Sequence, residues 1–294
     1  MTRKQKYYKL RKKLTPYLFL LPALLFFGAY LIYPAVYALV MSFFDWGATV
    51  ETQFIGLENF THMFSDQLFY TSIINTLIYV CAVPFKVVLA MVLAALLNQK
   101  IKGEGFFRAT LFFPYVLSEV IVGVIWKAMF NPTYGFINTA LSWFGLEGQN
   151  WLATDKAMWV IILVSIWKGL GSNLIIYIAG IKGISPDYYE AASIDGASEL
   201  QKFWYITLPC LKPTTIFVVT TAIIGSFNMF DITYTMTKGG PGTATLTFVQ
   251  YIYDVAFTRF QFGYASALAF VFFVVLFVLT VLQRRILSSG NDGD

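Results

Sequence analysis

The chain has 294 residues, 57% of them hydrophobic and 13% charged, with a mean hydropathy of +0.64 and a formal net charge of +5. That much apolar side chain excludes a soluble globule and implies a lipid solvent. The basic excess marks membrane insertion and not a nucleic-acid footprint, which would need a basic face on a soluble module.

The chain opens on Arg3, Lys4, Lys6, Lys9, Arg11, Lys12 and Lys13, and no Asp, Glu, Lys or Arg then occurs until Asp45. This pattern predicts a basic tail over 1–16 and a first membrane span over 17–40, since about 20 helical residues cross roughly 30 Å of hydrocarbon. A signal peptide would be shorter and followed by a small-residue cleavage site. Further apolar stretches predict spans over 69–97, 106–130, 157–181, 213–237 and 264–283, leaving a short tail over 286–294. Continuous apolar runs, unlike the alternation of barrel strands, specify helices. The expected fold class is therefore an all-α integral membrane protein with six transmembrane helices.

Orientation follows from Lys and Arg, which stay on the cytoplasmic side during insertion. The first tail, the loops after spans two and four, and the end of span six hold 15 of them, including Lys100, Lys102, Lys182, Lys202 and Lys212. The intervening loops hold 3, namely Lys156, Lys238 and Arg259, so both termini are expected in the cytoplasm.

Cys81 and Cys210 are expected at different depths, as small packing residues without a disulfide. His62 is the single histidine, and no His or Cys cluster offers a metal site.

Four ionisable residues fall inside the predicted spans: Lys86, Glu119, Lys168 and Asp231. Each costs about 2.5 to 3.5 kcal/mol at mid-bilayer unless it meets a partner or an aqueous cavity. Lys86 and Glu119 lie at similar depths by helical rise, so an ion pair between spans two and three is one expectation. The other is that each faces a transport cavity separately.

Between spans four and five the sequence reads Asp187, Tyr188, Tyr189, Glu190, Ala191, Ala192, Ser193, Ile194, Asp195, Gly196, Ala197, then Phe203, Ile206, Leu208, Pro209 and Pro213. Glu190, Ala191 and Ala192 favour a helical turn, and Gly196 permits a close backbone approach or a bend. Small alanine faces would let a short helix sink into a cleft on another protein. Span five continues through Phe230, Asp231, Ile232, Tyr234 and Thr237 into Gly239, Gly240 and Pro241, residues that end a helix.

The first block, EAA followed after three residues by G and later by Phe and Leu-Pro, resembles the coupling loop of binding-protein-dependent ABC importers. The second resembles the segment of carbohydrate permeases that ends the fifth helix in a Gly-Gly-Pro turn at the outer face. The likeness extends upstream through Leu93, Ala94, Leu96, Leu97 and Asn98, then Phe112, Pro114, Trp126 and Phe130. It covers nearly the whole chain after the basic tail and is similar to maltose, multiple-sugar and glycerol-3-phosphate permeases.

The resemblance implies a type I importer permease fold in a bacterial cytoplasmic membrane, with 187–209 as the coupling loop. It assigns ATPase contact to Glu190, Ala191, Ala192, Asp195, Gly196 and Ala197, and a gate or turn role to Asp231, Gly239, Gly240 and Pro241. Asp231 would orient the gate by bonding backbone N–H groups near the Gly-Gly turn. The implied partners are a second permease, a paralogue in this branch, two ATPase subunits and an extracytoplasmic sugar-binding protein. ATP and magnesium would sit on the ATPases and no cofactor on this chain, whose sequence lacks the phosphate-cradling string G-x-x-x-x-G-K-[ST].

Alignment to maltose-type permeases through Trp167 and Gly169 places Lys168, Gly169 and Ser172 at sugar-contacting positions. Counting back from Gly239 adds Ala222, Gly225, Ser226 and Met229. Sugars bind through hydroxyl hydrogen bonds and apolar ring faces, and this region also supplies Asn173 and Asn228 beside Trp167 and Phe227. The alternative is helix packing, because Gly, Ser and Ala let membrane helices approach closely. An ion-coupled secondary transporter would show repeated halves and an ion relay, and a membrane enzyme would show clustered His, Asp or Cys. Neither accounts for the coupling-loop pattern, whereas a glycerol-phosphate importer does and stays open.

Overall fold

The computed structural model describes residues 3–48, 51–98 and 103–288. Lys100, Lys102 and residues 289–294 of the expected tail lie outside the described residues, as do the side chains of Arg3 to Arg11. With no water to satisfy backbone polar groups in hydrocarbon, apolar runs close their hydrogen bonds within helices. Helices account for nearly every element.

The described residues form two compact units, one comprising residues through Ser65 with Ile252–Val274, the other Asp66–Tyr251 with residues from Val275 onward. In the first, α1 (Arg3–Phe27) runs through a π-helical turn at Gly28–Ile32 into α2 (Tyr33–Met41). Its apolar side chains, Phe19 and Phe26 among them, are exposed, as suits a helix facing lipid or another subunit. Strands β1 (Phe44–Asp45) and β2 (Gln53–Phe54) then pair antiparallel with Phe44 opposite Phe54. Helix α3 (Glu58–Ser65) follows, and its buried Asn59 donates to the Ser42 and Phe44 carbonyls at 2.9 and 3.1 Å.

The second unit begins with α4 (Gln67–Val80), capped by Asp66, whose carboxylate accepts the Leu68 N–H at 2.8 Å. Then come α5 (Val83–Asn98), α6 (Glu104–Val116), α7 (Glu119–Met129), α8 (Phe136–Trp143) and the long α9 (Ala157–Lys182). Three short helices follow, α10 (Pro186–Ile194), α11 (Glu199–Lys202) and α12 (Leu208–Cys210), with a π-helical turn at Phe203–Thr207 before α12. Helix α13 (Lys212–Phe227), α14 (Asp231–Thr237), α15 (Phe248–Tyr253) and α16 (Phe262–Ser288) complete the order, α16 extending across both units.

Among the described residues, four helical runs are long and apolar enough to cross a membrane, or up to six if each bent pair counts as one span. Counted that way, the six expected spans are present, though not every one is a continuous helix. Where 106–130 predicted one helix, α6 and α7 meet at 100°. Pro114, in the last turn of α6, has no N–H to give, and Leu117 and Ser118 are extended before α7 resumes. The expected span 213–237 is likewise interrupted, ending at Phe227 and restarting at Asp231.

Helix α9 is the spine of the second unit. Its lower half packs Leu174, Tyr177 and Ile178 against Val87, Ala90 and Ala94 of α5, while Ile161 and Val164 join a second cluster with Val122, Ile232 and Met236. Close approach depends on glycines, Gly171 and Gly123 among them. A Cβ at Gly171 would stand 3.0 Å from the Leu111 carbonyl, and one at Gly123 of α7 would stand 2.8 Å from Thr235 Cβ of α14. Cys81 and Cys210 are exposed, correcting their assignment as packing residues.

Candidate functional site

Between the two clusters of the second unit lies a cavity of about 540 Å³. Both interrupted spans open onto it, which is where irregular backbone is tolerated at membrane depth. The break after α6 contributes Tyr115 and Glu119, and the break after α13 contributes Ser226, Asn228 and Met229.

Of the residues expected to contact sugar, Lys168, Gly169, Ser172, Gly225, Ser226, Asn228 and Met229 line this cavity, as does Ala222. Trp167 does not. Its ring meets Trp126 edge-on at 5.4 Å between centroids, because successive helical side chains point about 100° apart and Lys168 takes the inward direction. The inward face of α9 instead follows helical spacing through Ser165, Lys168, Gly169, Ser172 and Ile176. That periodicity was present in the sequence and would have separated Trp167 from its neighbour and added Ser165. Phe217 and Thr221 follow the same logic four residues apart on α13. A Cβ at Gly225 would meet nothing within 4 Å, so glycine there leaves open space in the cavity wall.

Lys168 has a local partner. Its Nζ donates to the Tyr115 carbonyl at 2.9 Å and lies 5.2 Å from the Tyr115 ring centroid. The break in the third span leaves the last carbonyls of α6 without helical donors, and a cation at that end also complements the helix dipole. Glu119 occupies the mirror position, in the first turn of α7, where unpaired N–H groups and the positive helix end favour an anion.

Lys86 and Glu119 both line the cavity, where the charge of the carboxylate reaches the ammonium without a direct ion pair between them. Direct ion pairs among the described residues include Arg108 with Glu104 and Lys202 with Glu199 at 2.8 Å, each within one helix. Lys86 Nζ instead lies over the Tyr79 ring, 4.9 Å from its centroid.

Asp231 begins α14 and is exposed, whereas Gly239 and Gly240 follow the other end of that helix. The Gly240 N–H bonds the Thr237 carbonyl at 3.0 Å, so the expected bond from Asp231 to the glycine turn is corrected. The turn is held by hydroxyls: Thr237 and Thr245 Oγ1 are 2.7 Å apart, and Thr245 Oγ1 donates to the Gly240 carbonyl at 2.9 Å. Gly239 adopts φ +88°, and Pro241 follows Gly240 through a cis bond.

The segment 185–210 has its own logic. Ser185 caps α10, accepting the Asp187 N–H, and Pro186 takes the first helical position, where no N–H is required. At the other end the Ala197 N–H reaches the Ala192 carbonyl at 2.9 Å, and the Gly196 N–H the Ser193 carbonyl at 3.1 Å. This is a Schellman closure with Gly196 at φ +77° as its left-handed residue. No atom lies within 4 Å of a Cβ built there, so the bend and not close approach is the reading that fits. Ser198 and Gln201 then form a capping box that starts α11. Glu190, Ala191 and Asp195 are exposed with Tyr188, Ile194 and Leu200, and Ala192 and Ala197 are half-buried, so α10 presents an apolar, unpartnered face ringed by acids.

Residues 73–289 match the family of binding-protein-dependent transport system inner membrane components. The chain is similar to the arabinooligosaccharides transport system permease protein AraP of Halalkalibacterium halodurans, 34% identical over 96% of this chain and 90% of that one. It is 35% identical to the lactose transport system permease protein LacF of Rhizobium radiobacter, covering 91% of this chain and 92% of that one. A solved bacterial alginate ABC transporter in complex with an alginate-pentasaccharide-bound periplasmic protein contains a chain that superimposes with a TM-score of 0.86. The two are 26% identical, covering 95% and 96% of the respective chains.

Proposed function

The chain belongs to the family of binding-protein-dependent transport system inner membrane components, and from that premise we propose how it works as the multi-pass permease subunit of a carbohydrate ABC importer. The cavity of the second unit is this chain's half of the translocation pathway. The observation that carries this reading is the convergence of two interrupted spans on a roomy cavity whose lining includes the polar Lys168, Ser172, Ser226 and Asn228. Such a cavity offers hydroxyl-binding groups at membrane depth, which lipid-facing helices have no reason to keep.

Movement of solute is driven from the 185–210 segment. Glu190, Ala191, Ala192, Asp195, Gly196 and Ala197 form the joint on which an ATPase subunit grips, supported by the exposure of α10 and its apolar face. The segment joins α9 directly to α13, so displacement of α10 is transmitted to two walls of the cavity. ATP and magnesium belong to two ATPase subunits, a paralogous second permease completes the pathway, and an extracytoplasmic protein delivers the sugar. Gly239, Gly240 and Pro241 shape the outer gate. The membrane is the bacterial cytoplasmic membrane, with both chain termini inside, as the distribution of Lys and Arg favours.

Purification in mild detergent from its own host tests the assembly: an ATPase subunit and a second permease are expected to travel with this chain. Isolation without an ATPase partner under conditions that keep the membrane complex intact would refute the reading. Within that complex, Ser226→Ala and Lys168→Ala are each expected to lower sugar uptake severalfold, read from initial rates in proteoliposomes. Unchanged rates in both would remove the cavity from the pathway.

A further inference from the structure

Three charged groups line the cavity, two cations and one anion, and the broken third span gives backbone partners to two of them. Lys168 donates to the Tyr115 carbonyl at the end of α6. Glu119 sits on the positive end of α7. Lys86 is 8% exposed and makes no hydrogen bond or direct ion pair among the described residues; its Nζ lies over the Tyr79 ring, and it shares the charge of Glu119 with Lys168. An ammonium carries three donors, and a ring face accepts none of them as a lone pair would. Asn173 and Ser226 share this condition, at 7% and 3% exposure, lining the same cavity with side chains that make no hydrogen bond among the described residues. Other lining hydroxyls are already used, Ser172 on the Gly169 carbonyl and Thr221 on the Phe217 carbonyl.

A buried cation without an acceptor is costly, and membrane proteins keep one where a ligand completes it. From the burial of Lys86 and its lack of an acceptor, we propose that the cavity takes a saccharide bearing a negatively charged group, which Lys86 binds while Asn173 and Ser226 bond sugar hydroxyls. Neutral sugar would satisfy Asn173 and Ser226 and leave two ammonium groups in the cavity against the single carboxylate of Glu119. The shared chemistry is the anion on the sugar, whether carboxylate, phosphate or sulfonate.

This inference rests on the importer reading. Its test uses the whole complex in proteoliposomes with a panel that pairs each anionic saccharide with an uncharged counterpart of equal length. Digalacturonate is set against its carboxyl-reduced form, a hexose phosphate against the hexose, and a sulfonated hexose against the same hexose. At least one anionic member is expected to enter about tenfold faster than its counterpart, and the arm that responds identifies the acid. Lys86→Met and Lys86→Gln are each expected to abolish that preference, and Lys86→Arg to restore most of it. If one uncharged variant does not assemble, the other carries the measurement.

Equal uptake of both members of every pair overturns the proposal, as does a loss in the Lys86 variants that is equal for charged and uncharged sugar. So does a complex that couples ATP hydrolysis to uptake of an uncharged sugar and takes up no anionic one, a result that leaves the importer reading intact. Failure of any ATPase to join the chain sinks the importer reading and this inference with it.

Discussion

A Gly196→Pro chain is expected to insert into the membrane and to lose uptake by roughly a hundredfold, while the bound ATPases still hydrolyse ATP. Proline holds φ near −65°, and position 196 requires +77°. It also removes the N–H that reaches the Ser193 carbonyl, and it pushes Asp195 out of the helical region in which α10 closes. Together these cost about 3 kcal/mol or more of the closed turn, a factor of roughly one hundred in its population. Since α10 packs no buried residue, the loss falls on the shape of the segment and not on the stability of the membrane-embedded helices. Gly196→Ala should lie between, since a left-handed alanine costs about 1 to 2 kcal/mol and keeps its N–H. Initial uptake rates and ATP hydrolysis in the same proteoliposomes read both variants. Wild-type transport by the proline chain would mean that the closed turn transmits nothing.

The second large effect is expected at Gly123, where the loss is one of stability. Helices α7 and α14 are the continuations of the two interrupted spans, and they pack on each other at Gly123 and Thr235. A Cβ at position 123 would stand 2.8 Å from Thr235 Cβ and 3.0 Å from its Cγ2, inside van der Waals contact. Gly123→Leu therefore forces the two helices apart, at about 1 to 3 kcal/mol for overpacking a fitted interface. That corresponds to a fall of roughly 5 °C in the unfolding midpoint, measurable by thermal aggregation of the purified complex. Thr235→Gly added to Gly123→Ala should recover much of the loss seen in Gly123→Ala alone. No recovery would show that the glycine serves something other than this contact.

Much of the fold was legible before any coordinates. The fourth stretch was expected over 157–181 and is helical over Ala157–Lys182, because a long apolar run with no competing polar periodicity leaves the backbone one way to satisfy itself in lipid. The third stretch was not legible as two helices. Its residues are as apolar as the others, and Pro114 alone does not state whether a helix will kink mildly or turn by 100°. The outcome depends on what receives the freed carbonyls, and the receiver is Lys168, 53 residues away in sequence.

The same distinction runs through the site. Sequence resemblance selected neighbours on α9 without regard to direction, so Trp167 was grouped with Lys168, although helical spacing places it elsewhere. Lys86 and Glu119 were compared by depth along straight helices, and the structure brings both to one cavity although the third span is bent. Asn173 was recognised as a polar group in the right region. That its amide and the Ser226 hydroxyl remain without acceptors or donors is a property of what surrounds them.

By itself, the sequence determined the solvent, the helical class, the spans and the residues able to close α10, because hydrophobic run length, turn chemistry and charge placement are local properties. Tertiary structure alone decided which charged groups share the cavity and which of them finds a backbone partner. An ammonium and a helix end find each other only through packing, as Lys168 and the Tyr115 carbonyl do across 53 residues of sequence.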